Sequence, residues 1–347
     1  MVKKSRLAQL LAVGALALTA ACGGSASGSS APAAASTLRL GYFANVTHAG
    51  PVYGVASGVY QDKLGSTKLR TQTFKAGPAE VEALFGGAID AAYLGPGPAV
   101  NAFLKSRGDV VLVAGATSGG ASLVVKPGIT SAAQLKGKKI ADPQTGGTQD
   151  IALRTYLAGH GFKQDSQGAG DVSILAEDNA QSLDLFRSGE IDGAWVPEPW
   201  ASRLVLEGGG TVLQDEKDLW PGGKFVTTNL LVSKSFLKAH PQTVKALIEG
   251  QVEADKQIRA DPTKAQTVVN GALKALTGKS LKPEVIARAF AQIEVTEDPL
   301  AATLKVAADH AFATGLVKKG DLQGIYDLTL LDEVLGKTVD DAGLGKG

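Results

Sequence analysis

Nine short apolar runs, at 38–43, 69–74, 89–94, 110–116, 122–125, 139–141, 172–175, 191–196 and 228–232, alternate with segments of helical period along most of this chain. Runs of this length bounded by Gly, Pro and Asp read as strands. Between them apolar positions recur three and four apart, as in Val81, Leu84 and Phe85, or Leu153, Tyr156 and Leu157, so each intervening segment has one face to bury. Strand and helix in alternation predict an α/β fold with mostly parallel sheets. From Pro241 onward the pattern turns helical, with one stripe at Val244, Leu247, Ile248 and Val252 and another at Val285, Ile286, Phe290 and Ile293. The 43 glycines and only 5% aromatic residues suit many tight strand-to-helix turns around a core of Ala, Val, Leu and Ile.

The N-terminus carries a different message. Lys3, Lys4 and Arg6 precede an apolar run that ends at Ala20, Ala21 and Cys22, the one cysteine of the sequence. A basic start, an apolar stretch and small residues before a cleavage point describe an export signal. The stretch is short for a membrane span, which needs about 20 apolar residues. It looks like a bacterial lipoprotein signal over residues 1–21, with Thr19 where Leu is commoner, which implies a mature chain lipidated, as by palmitate, on Cys22. Residues 22–36, rich in Gly, Ser and Ala, then read as a flexible tether. The expected location is the extracytoplasmic face of the cell membrane, held there by the lipid. About 310 residues remain, room for two domains. Lys and Arg total 35 against 34 Asp and Glu, and loss of the leader's three cations turns that balance slightly negative. Near-neutrality argues against nucleic acid as a partner. Without a second cysteine no internal disulfide forms, so packing must hold the fold.

A weak internal repeat ties the two strand-rich regions together. Ile89-Asp90-Ala91-Ala92-Tyr93-Leu94-Gly95-Pro96-Gly97-Pro98-Ala99 aligns with Ile191-Asp192-Gly193-Ala194-Trp195-Val196-Pro197-Glu198-Pro199-Trp200-Ala201, each after a helix containing Leu-Phe. Both copies run from a short strand bearing an aromatic into a Pro-rich loop. Open α/β sheets bind ligands at the carboxyl ends of their strands. Two similar lobes therefore predict a cleft between them.

Candidate binding residues cluster at such ends. Gly146 and Gly147 form the turn after the strand at 139–141, and Thr148 is the expected N-cap of a helix whose free N–H groups favour an anion. The P-loop lysine is missing, which excludes nucleotide hydrolysis of that type, and an ordinary Gly-rich turn is the competing interpretation. Ala76-Gly77-Pro78 offers a matching helix start in the first lobe. Asn45, Thr47 and His48, Ser118 and Gly119 supply neutral donors, or simply cap their own loops. Trp195 and Glu198 sit in a stiff Pro-rich loop, Trp195 as a ligand wall or a core residue, Glu198 as an amine partner or a loop fastener. Catalysis has no candidate centre. His48, His160, His240 and His310 fit no zinc pattern, no Gly-x-Ser-x-Gly elbow occurs, and no carboxylate pair stands out. The expectation is a binder, neither enzyme nor holder of a metal or cofactor.

At this point the chain resembles the solute-binding lipoproteins of ABC importers, within them the family serving aliphatic sulfonates, taurine and nitrate. The resemblance rests on Gly41-Tyr42-Phe43-x-Asn45-x-Thr47-His48-Ala49, on the segment 86–99, on Leu135 to Ala141 leading into Gly-Gly-Thr, on Val196-Pro197-Glu198-Pro199-Trp200 and on residues 231–241. It implies a two-lobed periplasmic-binding-protein-like fold of type II, with lobe 1 at 37–120 plus 228–347 and lobe 2 at 121–227. It also implies a ligand site of Asn45, Thr47, His48, Gly95, Pro96, Ser118, Gly119, Gly147, Thr148, Trp195 and Glu198, with the organic part of an aliphatic sulfonate against Tyr42, Tyr93 or Trp195. Partners would be a small organic anion and the permease and ATPase subunits of an importer, the protein itself a monomer. Nitrate, taurine or a thiamine-precursor pyrimidine stay open as ligands, and a ligand sensor or a biosynthetic enzyme as roles.

Overall fold

The computed structural model describes residues 34–346. The signal at 1–21, Cys22 and most of the tether lie outside the described residues. The tether's last residues are already fixed: Ala35 is buried, donates its N–H to Thr243 Oγ1 at 2.9 Å and accepts the Thr67 hydroxyl at 2.6 Å. Order thus begins before Thr37, because two side chains satisfy that backbone.

Among the described residues eleven strands form two sheets. The chain lays down β1 (Thr37–Phe43), β2 (Lys68–Phe74), β3 (Ala91–Leu94) and β4 (Val110–Gly119) in the first. It crosses at Gly119 and Gly120 to the second, made of β5 (Ala121–Val125), β6 (Lys139–Asp142), β7 (Ser173–Ala176), β8 (Gly193–Pro197) and β9 (Thr211–Asp215). It then returns to the first for β10 (Val226–Ser233) and the short β11 (Ile293–Val295). The first sheet runs β2-β1-β3-β10-β4-β11 and the second β7-β6-β8-β5-β9. In each, three strands run parallel and the following pairs are antiparallel.

Two expectations need correction here. The sheets are mixed rather than mostly parallel, because the strands that carry the chain between the halves enter against the parallel set. Ile293 belongs to β11, paired to Gly119 of β4, and not to a helical stripe, since the helix Pro283–Phe290 ends before it. Strand β9 escaped the apolar pattern because it is an edge strand with Val212 38% exposed.

The sequence repeat is realised in the topology. β3 and β8 take the same third place beside their parallel neighbours, with Ala91 and Ala92 opposite Leu40 and Gly41, and Gly193 and Ala194 opposite Ile140 and Ala141. The preceding aspartate does the same work twice. Asp90 accepts the Arg39 N–H at 2.8 Å and donates its own N–H to the Arg39 carbonyl at 2.8 Å. Asp192 accepts the Lys139 N–H at 2.9 Å and donates to the Lys139 carbonyl at 2.8 Å. Each locks the amino end of a parallel pair. Losing the carboxylate strands a backbone donor, so Asp90→Ala should destabilise the protein by about 1–3 kcal/mol in chemical denaturation, with Asp192→Ala milder at its more exposed site.

The helical part packs on the first sheet. Val244, Leu247, Ile248, Val269 and Leu304 share one core with Leu38, Leu40, Ala92 and Leu231. The second sheet is covered on both faces, and strand alternation divides its residues: Leu123, Ile140 and Trp195 on one side, Val124, Ala141 and Val196 on the other. No described helix is long and apolar enough to cross a membrane.

Candidate functional site

The carboxyl ends of the parallel strands of the two sheets face each other, and four helices start there. They are Gly77–Phe85, Pro96–Lys105, Thr148–Gly159 and Asn179–Ser188, two from each half. Their N-cap residues, Ala76, Gly95, Gly147 and Asp178, make no side-chain cap. An uncapped helix start leaves N–H groups without an internal partner and carries about half a positive charge. Between them lies a space of about 20 Å³ lined by residues that include Phe43, Asn45, Gly95, Gly147, Thr148 and Asn179. That volume holds about one water.

The two halves meet closely around it. A Cβ on Gly95 would lie 2.0 Å from Thr148 Oγ1, so glycine is what lets the first half approach the second helix start. Asn45 Oδ1 accepts the Trp200 indole N–H at 2.9 Å across the divide. Lys75 pairs with Asp178 at the rim, both substantially exposed. Lys75 is the cation among the lining residues, and Asp178 neutralises it. The local field is therefore set by backbone dipoles rather than by a free cation.

Asn179, 8% exposed, has a side-chain oxygen with no hydrogen-bond partner at this space. Because the amide can rotate, it presents either donor or acceptor. Sequence reasoning missed Asn179, Lys75 and Phe43. Asn179 follows Glu177 and Asp178 just after β7, a polar helix start whose relevance depends on a sheet pairing that no local signal gives.

The expected site residues divide into groups. Asn45, Gly95, Gly147 and Thr148 line the space. Pro96 lies on the neighbouring seam with Thr148, Ile151 and Glu216. Thr47 and His48 stand behind it as buried supports. His48 Nε2 donates to the Tyr93 carbonyl at 3.0 Å, its Nδ1 meets the Thr47 hydroxyl at 3.2 Å, and burial pushes the imidazole down to about 3, so it is neutral. Ser118 and Gly119 sit at the crossing, where Gly119 donates to Phe225 at 3.3 Å and accepts Thr227 at 2.5 Å. Gly119 and Gly120 have φ of 76° and 78°, a left-handed turn that only glycine adopts freely.

Trp195 and Glu198 are not among the residues lining this space. Trp195 is fully buried in the second half, 5.5 Å from Tyr156, and donates its indole N–H to Glu216 at 2.8 Å. It occupies the place in β8 that Tyr93 occupies in β3, and both aromatics point into cores. Tyr42 faces inward too, because one residue along β1 reverses the face and brings Phe43 to the site instead. The Glu198 carboxylate is buried against Ser202 N–H at 3.1 Å and Arg288 at 3.3 Å, and burial raises it above the usual carboxylate range. Its backbone carbonyl instead accepts Val46 and Thr47 N–H from the first half at 3.1 and 3.3 Å. Glu198 fastens the loops and does not face the space. No cluster of metal-ligating side chains occurs among the described residues.

Residues 31–272 match the NMT1-like family. A binding protein of Brucella abortus is 30% identical over 229 residues, covering 63% of this chain and 69% of that protein. The taurine-binding periplasmic protein of Escherichia coli is 30% identical over 209 residues, 60% of this chain and 62% of that one. Among solved structures, the alkanesulfonate-binding protein SsuA of Xanthomonas axonopodis pv. citri, bound to MOPS, is similar at a TM-score of 0.69 and 26% identity over 83% of this chain and 96% of that chain.

Proposed function

The chain belongs to the NMT1-like family and has the periplasmic-binding-protein fold, and we propose that it is the extracytoplasmic solute-binding component of an ABC importer, taking a small monoanion, an aliphatic sulfonate foremost, between its halves. The observation that carries this reading is the convergence of four uncapped helix starts on one space between the two sheets, where the Asn179 side-chain oxygen has no partner and the amide is free to turn its N–H₂ inward. Such donors suit oxygens that share one negative charge, and the Lys75–Asp178 pair leaves no free cation for a second.

Residues 37–120 plus 228–347 act as one lobe and 121–227 as the other, with the crossing at Gly119 and Gly120 as a pivot. Ligand pockets are commonly about 300–1,000 Å³, far above the 20 Å³ between the halves, so the solute enters when they part. A solute touching both lobes then stabilises the closed form by its differential contacts. The closed form docks on the permease, and lipid on Cys22 keeps the monomer at the membrane.

The test is a thermal-shift screen of methanesulfonate, longer alkanesulfonates, taurine and nitrate, followed by calorimetry. A binder's midpoint rises with ligand by mass action. A hydrogen bond to a charged oxygen contributes about 1.5–3 kcal/mol, so Thr148→Val and Asn179→Leu should each weaken binding at least tenfold without shifting the unliganded midpoint. No shift with any of these anions overturns the reading.

A further inference from the structure

Asp142 closes β6 directly below the loop that presents Gly147 and Thr148. It is fully buried, and neither carboxylate oxygen accepts a hydrogen bond, although the Gln144 backbone N–H is nearby. Beside it stands Asp150, also fully buried, from the first turn of the helix Thr148–Gly159. Both oxygens of Asp150 are engaged: Oδ2 accepts the Gly146 N–H at 2.7 Å and Oδ1 accepts Arg154 Nε at 2.6 Å. Arg154 is also spent elsewhere, on the carbonyls of Asp165 at 2.7 Å and Ser166 at 3.3 Å. Asp150 and Arg154 are the charged groups that face Asp142, and its partner on β7 is Ala176.

Two adjacent carboxylates sealed from water with one shared guanidinium do not both ionise. We propose that Asp142 is a positioning residue for solute binding, its carboxyl donating a hydrogen bond to Asp150 so that Asp142, Asp150 and Gly146 brace both ends of the loop at 143–147. The proposal rests on that loop being part of the anion cradle. Burial first, and Asp150 second, push the Asp142 carboxyl well above its ordinary value of 3.8. The proton count fixes the sign. The braced state binds a proton that the loosened state releases, so the brace is complete below about 3.8 and weakens as pH rises toward Asp142's own raised value.

The experiment compares wild type, Asp142→Asn and Asp142→Leu by amide hydrogen exchange over residues 143–149, without ligand and across pH, and by calorimetry with methanesulfonate. Asparagine can still donate to Asp150, so Asp142→Asn should protect the loop at every pH, remove the alkaline loosening of wild type, and keep affinity within about threefold. Asp142→Leu should raise loop exchange at least tenfold and weaken methanesulfonate binding by a similar factor. A loop loosened in Asp142→Asn as in Asp142→Leu overturns the proposal, as does an unchanged loop in Asp142→Leu. Should leucine prevent folding, the asparagine variant and the pH profile still decide. Failure of wild type to bind methanesulfonate counts against the sulfonate ligand alone, because the exchange measurement needs none.

Discussion

Gly95→Val should weaken anion binding about a hundredfold in calorimetry while the unliganded protein keeps its thermal midpoint within a few degrees. The added Cβ would stand 2.0 Å from Thr148 Oγ1 and 3.1 Å from Thr148 Cβ across the divide, and 3.2 Å from the Thr227 carbonyl of β10 in its own half. Turning the threonine hydroxyl aside relieves the first contact and not the others, and valine brings two further methyls. Gly95 has φ of −76° and ψ of 167°, an extended conformation open to any residue, so the effect comes from the approach of the halves and not from backbone strain. A variant that cannot close keeps each half's own core and loses the donors of one side. Two lost contacts to a charged oxygen are worth about 3 kcal/mol or more, which is the hundredfold stated. Unchanged affinity would show that the solute binds one half alone.

The second large effect is on pH. Affinity should fall by about an order of magnitude as pH rises from about 4.5 to 7 and level off above, with Glu216→Gln losing most of that slope. Glu216 opens the turn Glu216–Leu219 on the second crossing and is 2% exposed. It lines the seam with Thr148 and Ile151 of its own half and Pro96, Ala307 and His310 of the other. Trp220 closes the seam, stacked on Phe225 at 5.3 Å and 5.7 Å from His310. Burial pushes the Glu216 carboxyl up to about 7 against the indole N–H groups of Trp195 and Trp220, with Asp215 adding to the rise. Asp215 is itself paired to Lys217 at 3.0 Å, and burial lowers His310 against the pull of Asp309. In the proposed opening, parting the halves wets Glu216 and returns it toward 4.5. The closed form therefore holds the proton more tightly, and its advantage is full below 4.5 and gone once pH passes 7. The full displacement sets a ceiling of about 3 kcal/mol, and a seam that still touches water delivers part of it. Glutamine keeps an acceptor for Trp195 without the titration, so a slope that persists in Glu216→Gln would assign the linkage to another group.

The apolar runs announced the central strands because residues such as Val110 to Ala116 are buried on both faces and leave an uninterrupted signature. Edge strands β9 and β11 carry half that signal or less, being polar or three residues long. Gly147 and Thr148 were legible as a helix start, because glycine, a small hydroxyl and the following helical period are local features. The direction of Trp195 was not. A strand reverses its face at every residue, so an aromatic one position off parity passes from cavity to core, and the repeat with Tyr93 held the clue. Glu198 and Arg288 lie 90 residues apart, and nothing near either one in the chain signals their pairing.

The paired aspartate locks place the keeping of register at one end of each sheet. Asp90 and Asp192 secure register at the amino edges, so the opposite rims that meet the solute need not hold it. Exchanging rim side chains should alter what is captured at little expense to the frame, so descendants of one such scaffold can change diet without first rebuilding their architecture.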